Sequence, residues 1–336
     1  MKSISLAIVG ATGVVGQKFL EVLAERNIVI HKLVLFASKK SEGKMVAFKN
    51  QNYEIVALTE ENILKHPVSY ALFSAGGEIS KTYAPIFAKQ KTIVIDNSSA
   101  FRMDPNVPLV VPEVNPLDAF NHHYIISNPN CSTIQAVVVL KPLNDHCKLK
   151  RVIISTNQAV SGAGSQGISD LENQLITGKT QKFPYQIVGN VIPHIDVFME
   201  NGYTKEEEKM IFEMKKIMHL PNLKVSATAV RVPVINGHSE SLNIEFENKI
   251  NIDDVFAILK ASAGIQVYDN PKENIYPMPI TAHDQDDVFV GRIRKDDTVE
   301  HGINCFVVAD NLRKGAATNA IQILELLLYN SSYKSI

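Results

Sequence analysis

ISLAIVGATGVVG, residues 4–16, joins a β-rich apolar run to a glycine turn, and the apolar residues after it have helical spacing. The stretch predicts a strand, a turn and a helix. Glycine lets a backbone approach a pyrophosphate closely at a helix N-terminus, where unpaired N–H groups and the helix dipole favour an anion. Gly10, Gly13 and Gly16 follow a Gly-x-x-Gly-x-x-Gly spacing, and a tight turn without a ligand uses the same residues. The position between strand and helix favours dinucleotide binding.

The segments after this turn alternate between β-rich and helical patterns. Strands are predicted at 32–36, 53–57, 70–74, 92–95 and 109–111, and a helix between 80 and 90. Nearly continuous apolar strands separated by helices are typical of a parallel sheet covered on both faces. The predicted fold class is α/β, with a Rossmann-type dinucleotide-binding domain and a mostly parallel sheet.

The composition is that of a globular protein with two domains. The chain has 336 residues, with 34 Lys and Arg against 35 Asp and Glu, so it offers no electrostatic footprint for nucleic acid or anionic lipid. No apolar run reaches the ~20 residues of a membrane span. Three cysteines without Cys-x-x-Cys spacing indicate neither a disulfide framework nor a metal site. Residues 1–9 lead into the glycine turn rather than a cleavage site, so we expect a cytoplasmic protein. Because the sequence lacks metal-ligand spacing, we also expect no bound metal.

The residues after the second predicted strand bear on the choice of cofactor. An NAD site usually places Asp or Glu there to bind the ribose hydroxyls. Here Ser38, Lys39 and Ser41 suit a 2′-phosphate, which favours NADP. Glu42 could bind the ribose hydroxyls, so NAD remains an alternative cofactor. A surface loop with solvated lysines and no ligand would also have these residue types.

Cys131 stands at the start of a predicted helix. Asn130 can cap the apolar segment 134–143, which puts Cys131 in the first turn. The positive end of a helix dipole stabilises a thiolate, the nucleophilic form of cysteine. Cys147 and Cys305 lack this setting and are interpreted as structural. A lone cysteine at a helix start is usually a small buried residue as well, so both interpretations of Cys131 stay open at this point.

Separated motifs over essentially the whole chain resemble those of the aspartate-semialdehyde dehydrogenases. They are GATGVVG (10–16), DNSSAFRM (96–103), VPEVN (111–115), NPNCST (128–133), QAVSGAG (158–164), and RVPV (231–234) leading to GHSE (237–240). Each motif alone is modest, but their joint order and spacing are highly specific.

The resemblance implies a reversible, phosphate-dependent oxidation of L-aspartate 4-semialdehyde to 4-phospho-L-aspartate. It runs physiologically as an NADPH-dependent reduction in lysine, diaminopimelate, threonine and methionine biosynthesis. Cys131 corresponds to the nucleophile that forms an acyl-thioester, His238 to the acid/base, and Gln158 to the residue that orients the substrate. Covalent catalysis suits this reaction because a thiohemiacetal can expel hydride and phosphate can attack the resulting thioester. Imidazole titrates near neutral pH, so it can take the thiol proton and return one.

The resemblance also implies which residues bind the substrate. Arg231 corresponds to the carboxylate-binding arginine, a role suited to the guanidinium fork, and Glu206 to the residue that contacts the amine. Arg102 and Lys209 correspond to the phosphate ligands, and Asn130 belongs to the same substrate- and phosphate-binding set.

Lys209 lies in the charge run 205–209, on a helix predicted over 204–218. It follows Glu206 by three residues, so the two side chains share a helix face. Most charge runs are solvated helix faces, and the family often has Trp before this lysine where this chain has Glu208.

For NADP, the resemblance implies contacts from both halves of the chain. The residues are Gly10, Thr12, Gly13, Val14, Val15 and Gly16 in the first turn, Ser38 and Ser41 near the 2′-phosphate, Ser161 and Gly162 near the nicotinamide, and Asn311 at the last helix. The predicted domains are an NADP-binding domain over 1–130, completed by a C-terminal segment 311–336 with a helix at 312–329, and an α+β catalytic and dimerisation domain over 131–310. The resemblance implies a homodimer and leaves a homotetramer open.

Two other classes of function remain open. A related phosphorylating acyl-reductase, such as an N-acetyl-glutamyl-phosphate reductase or a glyceraldehyde-3-phosphate dehydrogenase relative, also combines a cysteine with a nicotinamide. The QAVSG motif, Arg231 and Arg102 favour the aspartate substrate, although pocket selectivity rests on few contacts. A non-catalytic NADP-binding sensor would keep the glycine turn but lose chemical residues, whereas Cys131 and His238 are both present.

Overall fold

The computed structural model describes residues 3–329, which form two compact units. The first unit is Met1–Pro129 together with Ala316–Ile336, and the second is Asn130–Gly315. Residues 1–2 and 330–336, the latter at the end of the predicted C-terminal segment, lie outside the described residues.

Seven strands form the sheet of the first unit. They are β1 (Ile4–Val9), β2 (Ile30–Ala37), β3 (Met45–Phe48), β4 (Gln51–Ala57), β5 (Tyr70–Phe73), β6 (Ile93–Asp96) and β7 (Ile125–Ser127). Their order across the sheet is β3-β4-β2-β1-β5-β6-β7, and every neighbouring pair is parallel except the β3–β4 hairpin. The predicted Rossmann-type, mostly parallel sheet is confirmed.

Three helices of the first unit follow strands. They are α1 (Val14–Glu25), α2 (Glu60–Lys65) and α3 (Gly77–Lys89). Helix α1 begins after the glycine turn, and its Phe19, Leu20 and Leu23 are buried with Leu6 and Ile8 of β1 in one core cluster. Spacing of three and four residues puts these side chains on one face, and their burial against the sheet stabilises the helix.

The predicted strand at 109–111 is wrong. Leu109 makes only an isolated bridge to Ser127, which belongs to the seventh strand. The Val110 N–H donates to the Ser127 carbonyl at 3.1 Å, but the Val111 N–H donates to Asn115 Oδ1 at 2.9 Å, and Pro112 has no N–H, so the ladder does not continue beyond Val110. Strands β3 and β7 are missing from the prediction, because edge strands of four and three residues are too short to give a periodic signal.

The second unit combines six strands with five helices. The strands are β8 (Leu149–Gln158), β9 (Lys224–Arg231), β10 (His238–Phe246), β11 (Ile265–Val267), β12 (Val288–Lys295) and β13 (Gly302–Ala309). The helices are α4 (Cys131–Cys147), α5 (Ser165–Thr177), α6 (Lys205–Ile217), α7 (Ile252–Ala261) and α8 (Pro279–Ala282). The sheet runs β11-β12-β13-β10-β8-β9, with parallel pairs at β8–β9 and β11–β12 and antiparallel pairs elsewhere. This mixed sheet is the predicted α+β arrangement.

The end of the described chain is helical, but it does not begin as predicted. A π-helical turn, Arg313–Ala317, precedes α9 (Thr318–Tyr329). Helix α9 buries Ile321, Leu324 and Leu328 in the same core cluster as β1 and α1, so it belongs to the first unit. No helix within residues 3–329 is both long and apolar enough to cross a membrane.

Candidate active site

Cys131 is the first residue of α4, at a capped helix end. The Asn130 side chain accepts hydrogen bonds from the N–H groups of Ser132 and Thr133, at 3.0 and 3.3 Å. The predicted cap and the predicted position of the cysteine are therefore confirmed. Cys131 is only partly buried, whereas Cys147 and Cys305 are buried. A partly exposed thiolate at the positive end of a helix has the setting of a nucleophile.

Asn130 also ties the start of α4 to α6. Its backbone N–H donates to Glu213 Oε2 at 2.7 Å, and its side-chain Nδ2 donates to Glu206 Oε1 at 2.8 Å. Because one buried asparagine makes both the cap and these bonds, the cysteine is held at a fixed place relative to Glu206.

Glu206 connects several of the predicted residues. Its Oε1 also accepts from Gln158 Nε2 at 3.2 Å, and its Oε2 lies 3.1 Å from Lys209 Nζ. Burial raises the pKa of Glu206, but the charge of Lys209 and the bonds from Asn130 and Gln158 outweigh it, so the pKa is lowered overall. Glu206 is therefore a buried carboxylate that can receive an ammonium group.

Arg231 ends β9 directly beside Gln158, because the two residues are partners in the parallel β8–β9 register. Its side chain is buried, and Nη1 donates to the Ala159 carbonyl at 2.6 Å. Burial lowers the pKa of Arg231, while the charges of Glu206 and Cys131 act in the opposite direction. Guanidinium remains protonated under such conditions, so Arg231 is a fixed cation.

His238 opens β10 and is completely buried. Its Nδ1 lies 3.1 Å from the Ala159 backbone nitrogen, whose N–H it accepts. Burial, together with the charge of Arg231, lowers the pKa of His238 well below its usual value, so the ring is neutral. A neutral imidazole that accepts at Nδ1 carries its proton on Nε2. Among the described residues this Nε2 has no hydrogen-bond partner, which leaves it able to donate to a substrate.

Gly162 faces this histidine and the arginine. A Cβ at this position would lie 2.9 Å from Arg231 Nη1 and 3.2 Å from His238 Nε2. Any side chain here would therefore fill the space beside the two groups.

Gly162→Ala is accordingly expected to lower kcat/KM by about 10²-fold while leaving the folded protein intact. The added methyl group would displace Arg231, His238 or the substrate, and a displacement of about 1 Å can cost that much. The measurement is steady-state kinetics alongside thermal unfolding. Gly77→Ala is the matched control, because its new methyl group meets nothing closer than 4.0 Å. Equal activities of Gly162→Ala and wild type would contradict this placement.

Some of these residues border a cavity of about 330 Å³. Its lining includes Gly162, Glu206, Lys209 and Arg231. It also includes three residues that the sequence analysis does not predict: Lys182, His194 and Asp196. The three lie between α5 and α6, in a segment without any motif, so only the folded chain reveals them.

Ser161 and Asn311 are brought together in the second unit. Asn311 Nδ2 donates to Ser161 Oγ at 2.9 Å, and Asn311 Oδ1 accepts from the Gly237 N–H at 2.8 Å. Asn311 therefore joins the loop after β8, which carries Ser161, to the loop before β10, which carries Gly237.

The remaining predicted residues lie in the first unit. Arg102 is buried and donates to the carbonyls of Asn128 and Asn97, at 2.9 and 3.0 Å. Ser38 precedes and Ser41 ends a short 3₁₀ turn after β2, and both are at least partly exposed.

The glycine turn fits a dinucleotide. Gly10 has φ +87°, and a Cβ on Gly10 or Gly16 would collide with backbone atoms. Gly13 is the N-cap residue of α1 and provides no side-chain hydrogen bond, which leaves the N–H groups of the first helical turn able to bind an anion. The turn also lies beside the end of β2, because the N–H groups of Gly10 and Ala11 donate to the Phe36 carbonyl.

Comparisons with known proteins agree with this arrangement. The family model described as "Semialdehyde dehydrogenase, NAD binding domain" matches residues 5–122, and "Semialdehyde dehydrogenase, dimerisation domain" matches residues 140–314. The aspartate-semialdehyde dehydrogenase of Aquifex aeolicus is 58% identical over 332 residues, covering 96% of this chain and 97% of that protein. The chain belongs to the aspartate-semialdehyde dehydrogenase family. The predicted family and the predicted dinucleotide-binding domain are therefore confirmed.

Solved structures of the family have the same fold. Aspartate semialdehyde dehydrogenase II from Vibrio cholerae, complexed with ASA, is 45% identical with a TM-score of 0.93, covering 98% of this chain and all of that one. The Candida albicans enzyme, solved with NADP, is 26% identical with a TM-score of 0.77, covering 97% of this chain and 99% of that one.

One triad in the second unit has the residue types of a metal site. His283, Asp284 and Asp310 bring three ligand atoms within 4.8 Å of one another. The Asp310 carboxylate already accepts from Asn236 Nδ2 and from three backbone N–H groups, those of Asp284, Leu312 and Arg313. This use of its oxygens is structural, and it anchors the loop that carries Asn311.

Glu240, two residues after His238 on β10, is a second buried acid near the site. Burial raises its pKa well above the usual value, and the nearby Gln135 and Ser132 side chains oppose this only weakly. Neither of its carboxyl oxygens has a hydrogen-bond partner within the described part of the chain. Glu240 is therefore protonated in the folded protein over a pH range in which the unfolded chain has lost the proton.

For Glu240→Gln we expect a gain in stability over wild type that grows as pH rises from about 5 to 8, because ordinary glutamate has a pKa of about 4.3. In that window the folded protein binds more protons than the unfolded chain, so wild-type stability falls by up to ~1.4 kcal/mol per pH unit. The measurement is urea unfolding of both proteins at several pH values. Glu245→Gln is the control: Lys150 and Arg151 lower the pKa of Glu245, so its effect has the opposite sign. A pH-independent difference for Glu240→Gln would contradict a buried, protonated acid.

Proposed function

We propose that this chain interconverts 4-phospho-L-aspartate and L-aspartate 4-semialdehyde, with NADP as its cofactor and with phosphate as co-substrate in the oxidative direction. Its physiological direction is then NADPH-dependent reduction, in biosynthesis of lysine, diaminopimelate, threonine and methionine. The observation that carries the proposal is the grouping of charged side chains around one cavity. A carboxylate, Glu206, and a cation, Arg231, border the cavity near a cysteine that starts a capped helix.

The paired charges of this cavity suit an α-amino acid. Arg231 presents a buried guanidinium, which binds a carboxylate through two parallel hydrogen bonds. Glu206 presents a carboxylate, which receives an ammonium group, and Lys209 supplies a second cation for phosphate. Arg102, in the first unit, is the other proposed phosphate ligand. The ammonium group of an aspartyl substrate gives Glu206 a second cation beside Lys209, and an acyl phosphate without an amino group lacks this interaction, which favours the aspartyl substrate.

In the reductive direction, Cys131 attacks the carbonyl carbon of the acyl phosphate. The carbon–oxygen bond to phosphate breaks, phosphate leaves, and a thioester on Cys131 remains. NADPH, when bound, supplies the hydride that reduces the thioester carbonyl carbon. The resulting thiohemiacetal oxyanion collapses, releasing the aldehyde and restoring the Cys131 thiolate. Gln158, bonded to Glu206, helps to fix the substrate beside the sulfur.

His238 acts in this scheme through its Nε2–H. The Nδ1 atom of His238 accepts a hydrogen bond from the Ala159 N–H, so a proton on Nδ1 would face another N–H donor and lose this bond. The neutral ring then serves as a hydrogen-bond donor to the oxygen of the tetrahedral intermediate, stabilising charge where it develops. The role predicted from the sequence, uptake of the thiol proton, first requires loss of the Nε2 proton. The geometry favours the donor role.

For the cofactor, the first unit offers the turn at 10–16, with Thr12, Val14 and Val15 beside the glycines, and Ser38 and Ser41 for the 2′-phosphate. In the second unit, Ser161, Gly162 and Asn311 are the positions proposed for the nicotinamide. We assign residues 1–130, with 311–336, to NADP binding and residues 131–310 to catalysis and dimerisation.

The assembly proposed for this cytoplasmic enzyme is a homodimer. The support is the match of residues 140–314 to a family model described as a dimerisation domain. Sedimentation analysis of the purified protein tests this. A mass of one chain at micromolar concentration contradicts the dimer, and a mass of four chains replaces it with a tetramer.

The test of the activity is nicotinamide absorbance with NADP and L-aspartate 4-semialdehyde, with and without phosphate. We expect phosphate-dependent reduction of NADP. N-acetyl-glutamate semialdehyde and glyceraldehyde 3-phosphate are the comparison substrates, and faster turnover of either would reassign the chain to a related acyl-reductase. Bound NADP without turnover of any of the three would favour a non-catalytic sensor.

A further inference from the structure

Lys209 has two anionic neighbours, and the sequence analysis predicts only one of them. Its Nζ lies 2.7 Å from Asp196 Oδ2 and 3.1 Å from Glu206 Oε2. Burial lowers the pKa of Lys209, but the two carboxylates more than compensate, and the pKa is raised overall. One positive and two negative charges give this cluster a charge of −1. Within this cluster, the Asp196 carboxylate competes with phosphate for the ammonium that is proposed to bind it.

The two carboxylates differ in how firmly they are held. Glu206 is 7% exposed in its side chain and is fixed by Asn130 and Gln158 as well as by Lys209. The Asp196 side chain is 30% exposed, and within residues 3–329 its other oxygen accepts only from the N–H of the next residue, Val197. Asp196 is therefore the carboxylate that can leave the ammonium at the smaller cost.

The backbone at Asp196 is held in an unusual conformation. Its φ is +69°, in the left-handed region that residues other than glycine, asparagine and aspartate rarely adopt. Both flanks of the residue are anchored: the His194 and Phe198 rings stack at 4.3 Å, and the Lys205 N–H donates to the Val197 carbonyl. This loop is thereby fixed to the start of α6, the helix that carries Lys209.

We propose that Asp196 is the exchangeable counter-ion of Lys209. Its carboxylate binds the ammonium while the phosphate subsite is empty and gives way when phosphate, or the phosphoryl group of the substrate, arrives. This assignment rests on the proposed function, in which Lys209 binds phosphate. Asp196 then weakens phosphate binding, and in exchange it holds the ammonium of the partly buried Lys209 in place between turnovers.

The test is Asp196→Asn, assayed in the oxidative direction. Asparagine tolerates the positive φ and keeps an oxygen for the Val197 N–H, but it carries no charge. We expect KM for inorganic phosphate to fall by about three- to tenfold, the size of a partly exposed ion pair, with KM for the semialdehyde unchanged. Asp196→Gly, which also suits the backbone, should show the same split.

The matched control is Asp297→Asn. Asp297 also lies 2.7 Å from a lysine ammonium, that of Lys295, but it does not border the cavity. Both kinetic constants of this variant should equal those of the wild type.

An unchanged or raised KM for phosphate in both Asp196 variants overturns the proposal. A raised KM for the semialdehyde alone also overturns it, and means that Asp196 receives the substrate amine together with Glu206. Calorimetric titration of inorganic phosphate into wild type and Asp196→Asn separates this inference from the proposed function. If the wild type lacks phosphate-dependent turnover, the proposed function fails, and the inference still requires tighter phosphate binding by the variant.

Discussion

Cys131→Ser is expected to lower phosphate-dependent NADP reduction by at least about 10³-fold, because removal of a covalent nucleophile costs several kcal/mol of transition-state stabilisation. A serine hydroxyl does not ionise at the helix N-terminus as a thiol does, so it cannot attack the acyl phosphate or the aldehyde at a comparable rate. The fold should be retained, since the substitution is nearly isosteric and leaves the Asn130 cap in place. The measurement is kcat for the purified variant, with its thermal unfolding.

Cys147→Ser provides the control for this substitution. Cys147 ends the same helix, is buried, and lies 3.8 Å from the Lys249 carbonyl. Burial raises its pKa, which makes it a poor nucleophile. The control should keep wild-type turnover and should still be inactivated by iodoacetamide. A Cys131→Ser enzyme that keeps more than a tenth of wild-type activity would contradict the nucleophile assignment.

For His238, the two amide replacements are expected to differ. The Gln amide nitrogen reaches the place of Nε2, whereas the Asn amide reaches only that of Nδ1. Loss of one donor to a developing oxyanion typically costs about 10²–10³-fold in kcat. We therefore expect His238→Asn to lose that much and His238→Gln, which retains a donor, to lose clearly less. His301→Asn is the control, because the His301 ring lies beside Glu300 and contacts none of the candidate site residues.

The pH profile gives an independent test of the same assignment. The pKa of His238 is held well below its usual value by burial and by Arg231, so the neutral donor persists on mild acidification. Activity that depends on the neutral ring is present above this lowered pKa and is lost only below it. A wild-type kcat/KM that falls with an apparent pKa near 6.5, and that loses this step in both His238 variants, would instead support the acid/base role.

The fold was predictable where local chemistry and the final structure agree. The glycine turn, the apolar face of α1 and the Asn130 cap each have a local cause, and each lies where the sequence places it. The segment 109–111 has the apolar character of a strand, yet a side-chain acceptor, Asn115, takes one of its N–H groups. A side-chain acceptor and a neighbouring strand compete here for the same backbone N–H, and the outcome depends on a turn geometry that residue patterns do not encode.

The candidate site divides in the same way. Cys131, Arg231 and His238 stand in motifs, so the family resemblance implies a common site, and the second unit brings them together. Glu206 lies in a charge run outside these motifs and is implied by the resemblance alone, and its bond to Asn130 places it in the same group. Asp196 has no motif, and its importance arises from a contact with Lys209 across a loop. Similarly, the direction in which His238 works depends on one backbone N–H, that of Ala159. These features are set by tertiary contacts, which no local pattern reports.

The most direct test of the covalent mechanism is mass spectrometry of the intact protein after acid quench, following incubation with 4-phospho-L-aspartate in the absence of NADPH. The account predicts one aspartyl group added per chain, release of one phosphate, and location of the adduct on the peptide that contains Cys131. The adduct should disappear, with formation of the semialdehyde, when NADPH is added before the quench. Phosphate release without an adduct, or an adduct on any other residue, would contradict a thioester at Cys131.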